Sequence, residues 1–253
     1  MNAVVNPTAP CPADCTVIEL RQYTLHPRAR ETLIELFERE FVESQEAVGA
    51  SVIGTSRDLD QPDRFVWLRG FADMRVRRQA LTDFYSGPVW RVHRDAANAT
   101  MIDSDNVLLL RPAWPGAGFA LDPGIRPAGG RETAGEHLVT ARVYAFDAPI
   151  DPALIAWFRH EAVALYDELG AQTVAVLISE DAENDFPALP VREGEHMLVW
   201  FARFDDHAAY ARFFEAVTHS RRWNETLLPE LQRRLRGKPP LLRLAPTARS
   251  LLR

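Results

Sequence analysis

Along Val17–Leu25 apolar and polar residues alternate, with Ile18 and Leu20 on one side and Glu19, Arg21 and Tyr23 on the other. That period of two is the mark of a half-buried strand. The next segment changes period: Leu33, Leu36, Phe37, Phe41 and Val48 recur at helical spacing, and Gly49 ends the run. Ala50–Thr55 and Phe65–Phe71 read as two further strands joined by the turn-like Arg57-Asp58-Leu59-Asp60-Gln61-Pro62. Met74–Tyr85 has the pattern of a second helix, which Gly87-Pro88 breaks; Val89–Ala97 adds a further helical turn or two, and Val107–Leu110 is a closing strand. The order β-α-β-β-α-β is that of the ferredoxin-like, or split βαβ, unit.

The pattern then returns. Arg21-Gln22-Tyr23-Thr24-Leu25 aligns with Arg142-Val143-Tyr144-Ala145-Phe146 at an offset of 142 − 21 = 121, which also carries Phe37 onto Phe158 and Gly49-Ala50 onto Gly170-Ala171. Further on, Trp67, Phe71, Asp73 and Trp90 align with Trp200, Phe204, Asp206 and Trp223 at 200 − 67 = 133. The difference, 133 − 121 = 12 residues, is an insertion in one loop of the second copy, within the acidic Glu180–His196. Aromatic residues matched at constant offsets imply a tandem duplication. The second copy's first helix opens on Asp151-Pro152, an N-cap followed by a proline in the first turn.

These breaks set the expected domains. Residues 1–15 form a flexible tail, 16–113 the first ferredoxin-like unit, 114–137 a linker rich in proline and glycine, and 138–253 the second unit. A four-stranded sheet with helices on one face leaves its other face to be covered, and two copies in one chain can cover each other. The expected fold class is therefore α+β: two βαββαβ units in tandem forming an intramolecular version of the dimeric α/β barrel, with a lumen between the sheets.

Charge narrows the choice of partners. A formal net charge of −6 disfavours nucleic acid and acidic membranes, and no apolar run approaches the length of a membrane span. Residues 1–15 lack the basic and apolar segments of a secretory leader, so the expected location is the cytoplasm. The two cysteines, Cys11 and Cys15, lie together in that tail and are read as reduced thiols, with no second pair to complete a zinc site. No dinucleotide, Walker, zinc-protease or nucleophile-elbow motif is present. Asp103-Ser104-Asp105-Asn106 lacks the glycine and terminal glutamate of a calcium loop and reads as a turn. No metal and no cofactor is expected.

Ile18-Glu19-Leu20-Arg21-Gln22-Tyr23-Thr24-Leu25 resembles the start of a NIPSNAP domain, as do Phe65-Val66-Trp67-Leu68-Arg69-Gly70-Phe71-Ala72-Asp73 and Phe84-Tyr85-Ser86-Gly87-Pro88-Val89-Trp90. The resemblance covers residues 16–113 well and 138–252 more weakly, since Thr218-His219-Ser220-Arg221-Arg222 and Ala202 depart from it. It implies the ferredoxin-like barrel fold and an undefined biochemical role, with no catalytic residues to carry over.

Sites must then come from the residues. Alternation places Arg21, Tyr23, Trp67, Arg69, Arg142, Tyr144 and Trp200 on one set of faces, and the opposite faces are purely apolar. If the apolar faces pack on the helices, these seven residues line the lumen as a binding site for a small organic anion or aromatic ligand, with guanidinium forks for a carboxylate. On that reading Arg69→Ala weakens a carboxylate ligand and barely changes stability. Of the histidines, His93 and His160 are the candidates for acid–base work. Two functions stay open. One is a small-molecule-binding barrel, extending by analogy with fold relatives to a cofactor-independent monooxygenase or isomerase. The other is a non-catalytic interaction or assembly protein with a packed lumen, in which Glu19 pairs with Arg21 or Arg69. A homodimer through outer surfaces is compatible with either.

Overall fold

The computed structural model describes residues 11–127 and 137–253. The first half runs β1 (Val17–Leu25), α1 (residues 30–46), β2 (Ser51–Asp58), β3 (Arg64–Phe71), α2 (Met74–Ser86), α3 (Pro88–Asn98), a short β4 (Met101–Asp103) and β5 (Val107–Pro112). The second runs β6 (Leu138–Phe146), α4 (residues 152–168), β7 (Gln172–Ser179), β8 (His196–Phe204), α5 (His207–His219), α6 (residues 223–232) and β9 (Leu241–Pro246). The two halves repeat each other in local detail. Asp73 and Asp206 cap α2 and α5, each accepting a 2.6 Å hydrogen bond from the backbone N–H three residues on. Both α1 and α4 widen into a π turn, at Phe37–Phe41 and Phe158–Val163. Gly49 and Gly170 follow them at φ of 99° and 103°, a left-handed conformation that favours glycine.

All strand pairings are antiparallel. β2 pairs with β9 and β5 with β7 across the halves, and β3 returns to β1, so eight strands close into a barrel within one chain. β4 adds to the end of β1. Register is equivalent in the two halves: Glu19 lies opposite Arg69 and Arg21 opposite Trp67, while Thr140 lies opposite Ala202 and Arg142 opposite Trp200.

The interior of the barrel is a solid apolar core. Each of the eight strands contributes, for example Ile18 and Leu20 from β1, Val66 and Leu68 from β3, and Val199 and Phe201 from β8. The expectation that apolar faces pack on the helices is thus inverted. Arg21, Tyr23, Trp67, Arg69, Arg142, Tyr144 and Trp200 project outward into the layer between strands and helices. The reason is geometric: an eight-stranded barrel is just wide enough for its own side chains to fill, and unpaired guanidinium groups in that space would lose their hydration without compensation.

Segments expected to be loose close the barrel's ends. Phe119, within the proline- and glycine-rich connection, is fully buried with its ring 5.1 Å from that of Phe201. Residues 11–15, assigned to the tail, form a helical turn that buries Cys15; a Cβ on Gly70 would lie 2.5 Å from its sulfur, so only glycine fits there. Residues 1–10 and 128–136 of the expected tail and linker lie outside the described residues. The inserted loop before β8 folds across the first half, where Asp185 and Asn184 accept hydrogen bonds from Arg77 and Phe186 stacks on Tyr85 at 6.0 Å.

Candidate functional site

Large side chains and charges fill the helix–strand layer of the first half. Glu19 is fully buried and accepts hydrogen bonds of 2.7 Å from Arg21, Arg69 and Arg77. Arg69 also donates to Gln45 at 3.0 Å, and Arg21 Nε donates to the Tyr23 hydroxyl at 2.9 Å. Burial opposes ionisation of Glu19, but the charges of Arg69, Arg21 and Arg77 outweigh it and hold the carboxyl well below the usual carboxylate range. Beside this cluster Trp67 packs edge-on against Phe37, 4.7 Å away, and Tyr23, 5.9 Å away. The space left here is about 30 Å³. Arg21, Tyr23, Trp67 and Arg69 are brought together as expected, but in a packed cluster whose guanidinium charges are paired with Glu19, with Trp67 Nε1 and Arg69 Nη2 left without hydrogen-bond partners among the described residues. The expectation that Arg69→Ala leaves stability intact is corrected accordingly, because the change removes one of the three donors to buried Glu19 and the donor to the Gln45 side-chain oxygen.

The corresponding layer of the second half is open. A cavity of about 640 Å³ lies between β6 and β8 on one side and α4, α5 and α6 on the other, walled by Tyr144, Tyr166, Trp200, Phe213 and Trp223, with Arg142 among its lining residues. Its origin can be read position by position. Where the first half has Arg69, Phe84 and Tyr85, the second has Ala202, Val217 and Thr218, all smaller. Where the first has Glu19, the second has Thr140. Arg142 therefore has no carboxylate partner among the described residues; its one hydrogen bond is a 3.5 Å contact to the Pro239 carbonyl. The Thr140 hydroxyl is buried in the cavity wall and makes no hydrogen bond among the described residues.

Other polar groups in the wall are ordered. Tyr144 and Tyr166 share a 3.0 Å hydrogen bond between hydroxyls, and burial pushes both phenols above their ordinary values, so they are neutral donors at pH 7. Trp200 Nε1 donates to Thr173 at 2.9 Å, and its ring lies 4.5 Å from Tyr166. Lys238, the only lysine in the chain, lies exposed at the rim.

Of the seven expected ligand residues, Arg142, Tyr144 and Trp200 line the cavity. His160 is exposed on α4 and His93 is 3.5 Å from Glu40 near the surface of the first half, and neither lines it. Sequence reasoning missed Thr140, Tyr166 and Tyr210. The offsets carried a signal for them, since Glu19, Gln45 and Arg77 map onto these three positions. Among the described residues no group of three or more His, Cys, Asp or Glu could hold a metal, and no helix is long and apolar enough to cross a membrane.

A closed antiparallel barrel with helices on its outside, built from two ferredoxin-like halves, defines a single-chain α/β barrel of the dimeric type. Residues 18–114, within the first half, match the NIPSNAP family model. Solved structures share the whole fold. A candidate monooxygenase from Lactobacillus acidophilus aligns with a TM-score of 0.55 at 11% identity, over 92% of this chain and 94% of its own. A candidate monooxygenase from Fusobacterium nucleatum gives 0.54 at 10% identity over 92% of each chain. An anthrone oxidase-like protein gives 0.54 at 12% identity, over 92% of this chain and 91% of its own. At these identities the likeness is one of fold. No curated protein matches the chain.

Proposed function

We propose that this protein binds a small aromatic organic anion in the helix–strand cavity of its second half, with Arg142 as the anchor. The observation that carries the reading is the pairing of a cavity of about 640 Å³ with a guanidinium that has no carboxylate partner among the described residues. The volume falls within the range of small-molecule sites, roughly 300–1,000 Å³. Tyr166, Trp200, Phe213 and Trp223 offer ring faces to a flat apolar body, and the hydrogen-bonded phenol pair of Tyr144 and Tyr166 keeps one O–H to donate. The filled barrel interior removes the lumen as the binding place, while the cavity supports the ligand reading over the interaction reading.

A cofactor-independent monooxygenase or isomerase would use the same cavity, and two fold neighbours are named as candidate monooxygenases. Such chemistry begins with proton abstraction, yet among the described residues no His, Asp or Glu lines the cavity, and Lys238 stands exposed at its rim. The side chains present therefore favour binding over turnover.

Titration calorimetry with 2-naphthoate and with the neutral 2-naphthol tests the proposal. Saturable one-to-one binding of 2-naphthoate is expected, and Arg142→Ala should weaken it by about 1.5–3 kcal/mol, as for loss of a charge-assisted hydrogen bond. Failure of the wild type to bind either compound, or equal affinity of Arg142→Ala for 2-naphthoate, would remove the reading.

A further inference from the structure

We infer that the anionic group of the ligand is a carboxylate seated where the first half keeps a carboxylate of its own, and that Thr140 is the specificity-determining residue that leaves this seat open. The inference rests on the binding reading above. It follows from the equivalence of the two halves. Glu19 of β1 lies opposite Arg69 and two residues before Arg21; Thr140 of β6 lies opposite Ala202 and two residues before Arg142. Side chains two apart on a strand share a face, so Thr140 and Arg142 look into the same layer. In the first half the Glu19 carboxylate fills that position and holds Arg21 at 2.7 Å. In the second half the arginine remains and the carboxylate is gone.

Three features mark the vacated position as a seat. The Thr140 hydroxyl is buried without a partner among the described residues, and a buried hydroxyl costs free energy unless something accepts from it or donates to it. Arg142 presents a planar fork suited to two oxygens of one carboxylate. The other donors to Glu19, Arg69 and Arg77, are replaced by Ala202 and by Tyr210, which lines the cavity. That exchange removes two charges and leaves a phenol. With Lys238 exposed at the rim, the seat itself holds one cation and neutral hydroxyls, which suits a singly charged carboxylate better than a doubly charged phosphate monoester, whose second charge would sit away from that lysine. The chemical class is an aromatic monocarboxylate.

The test is the binding of 2-naphthoate, 2-naphthyl phosphate and 2-naphthol to the wild type, Thr140→Glu and Thr140→Val, with circular dichroism and melting as checks on folding. In Thr140→Glu the new carboxylate should pair with Arg142 and occupy the seat, so 2-naphthoate should lose at least about tenfold in affinity, the scale of a displaced charge-assisted hydrogen bond. Thr140→Val keeps the shape and removes the hydroxyl, so it keeps the inference testable if the glutamate variant does not fold. It should bind 2-naphthoate several-fold more weakly, by roughly the worth of one hydrogen bond, and 2-naphthol unchanged. A folded Thr140→Glu that binds 2-naphthoate as the wild type does would overturn the inference, and so would an unaffected Thr140→Val. Preference of the wild type for the phosphate would overturn it while leaving the anion-binding reading intact. Binding of none of the three compounds would overturn both.

Discussion

Arg77 on α2 and Asp185 on the inserted loop are 2.6 Å apart and tie the two halves together outside the barrel. Arg77 is fully buried, and its other carboxylate contact is Glu19, which it shares with two more arginines. The loop thus adds a second negative charge to a cluster that would otherwise hold one carboxylate against three guanidinium groups. Asp185→Ala should lower stability by about 1–3 kcal/mol, because it removes a charge-assisted hydrogen bond to buried Arg77 and leaves that nitrogen only the Asn184 side chain at 3.1 Å. Limited proteolysis should then cut within residues 180–195 faster than in the wild type. An unchanged melting temperature would mean that the loop is held by its other contacts, the Phe186–Tyr85 stack and the Asn184–Arg77 and Arg192–Val107 hydrogen bonds among them.

Glu19 gives the fold a defined dependence on acid. Its folded pKa lies well below the unfolded carboxylate value of about 4.3. Its contribution to stability is therefore complete above that value and is lost as pH falls toward the folded value. At pH 7 Glu19→Gln should cost about 3–5 kcal/mol, since three buried guanidinium groups lose their shared anion. Urea unfolding as a function of pH should show the wild type and Glu19→Gln converging only below about pH 4. A constant difference down to pH 2 would show that Glu19 acts by shape rather than charge.

The two cysteines should react very differently. Burial first, then the neighbouring Cys11 and Asp14, push the Cys15 thiol up to about 12. Only about one molecule in 10⁴ would then carry the thiolate at pH 8, and its sulfur is out of reach of solvent. Iodoacetamide at pH 8 should add one label to the native chain, at the partly exposed Cys11, and a second only in denaturant. Two labels at equal rates under native conditions would place the turn at residues 11–15 away from the barrel.

Phe119 should matter as much as any strand residue. It is fully buried against Phe201 although it lies in a segment rich in proline and glycine. Phe119→Ala should cost about 3–5 kcal/mol, the usual range for removing a buried aromatic ring. Differential scanning calorimetry reads this directly, and a loss below about 1 kcal/mol would show that the barrel end closes without it.

Much of the architecture could be read from residues alone. The alternation along Val17–Leu25, the helix at Met74–Tyr85 and the Asp151-Pro152 start correspond to β1, α2 and the first turn of α4, because each rests on a local period or cap. The NIPSNAP resemblance over residues 16–113 meets a family match over 18–114. Locating the site was harder. Arg142, Tyr144 and Trp200 could be named as a ligand-facing set, but so could Arg21, Tyr23, Trp67 and Arg69, which the structure consumes in a closed cluster. Whether an arginine is free depends on side chains far away in sequence: Arg69 meets Glu19 across 50 residues, and Arg77 meets Asp185 across 108.

The sequence by itself determined the order of strands and helices, the two offsets that relate the halves, and the grouping of residues into opposite faces. Local periodicity and matched spacing carry all three. Only the tertiary structure decided which face turned inward, since alternation is unchanged when inside and outside are exchanged. It also decided which half opened. A cavity is the volume that neighbouring side chains fail to fill, and that sum runs over β6, β8, α4, α5 and α6 together rather than over any one of them.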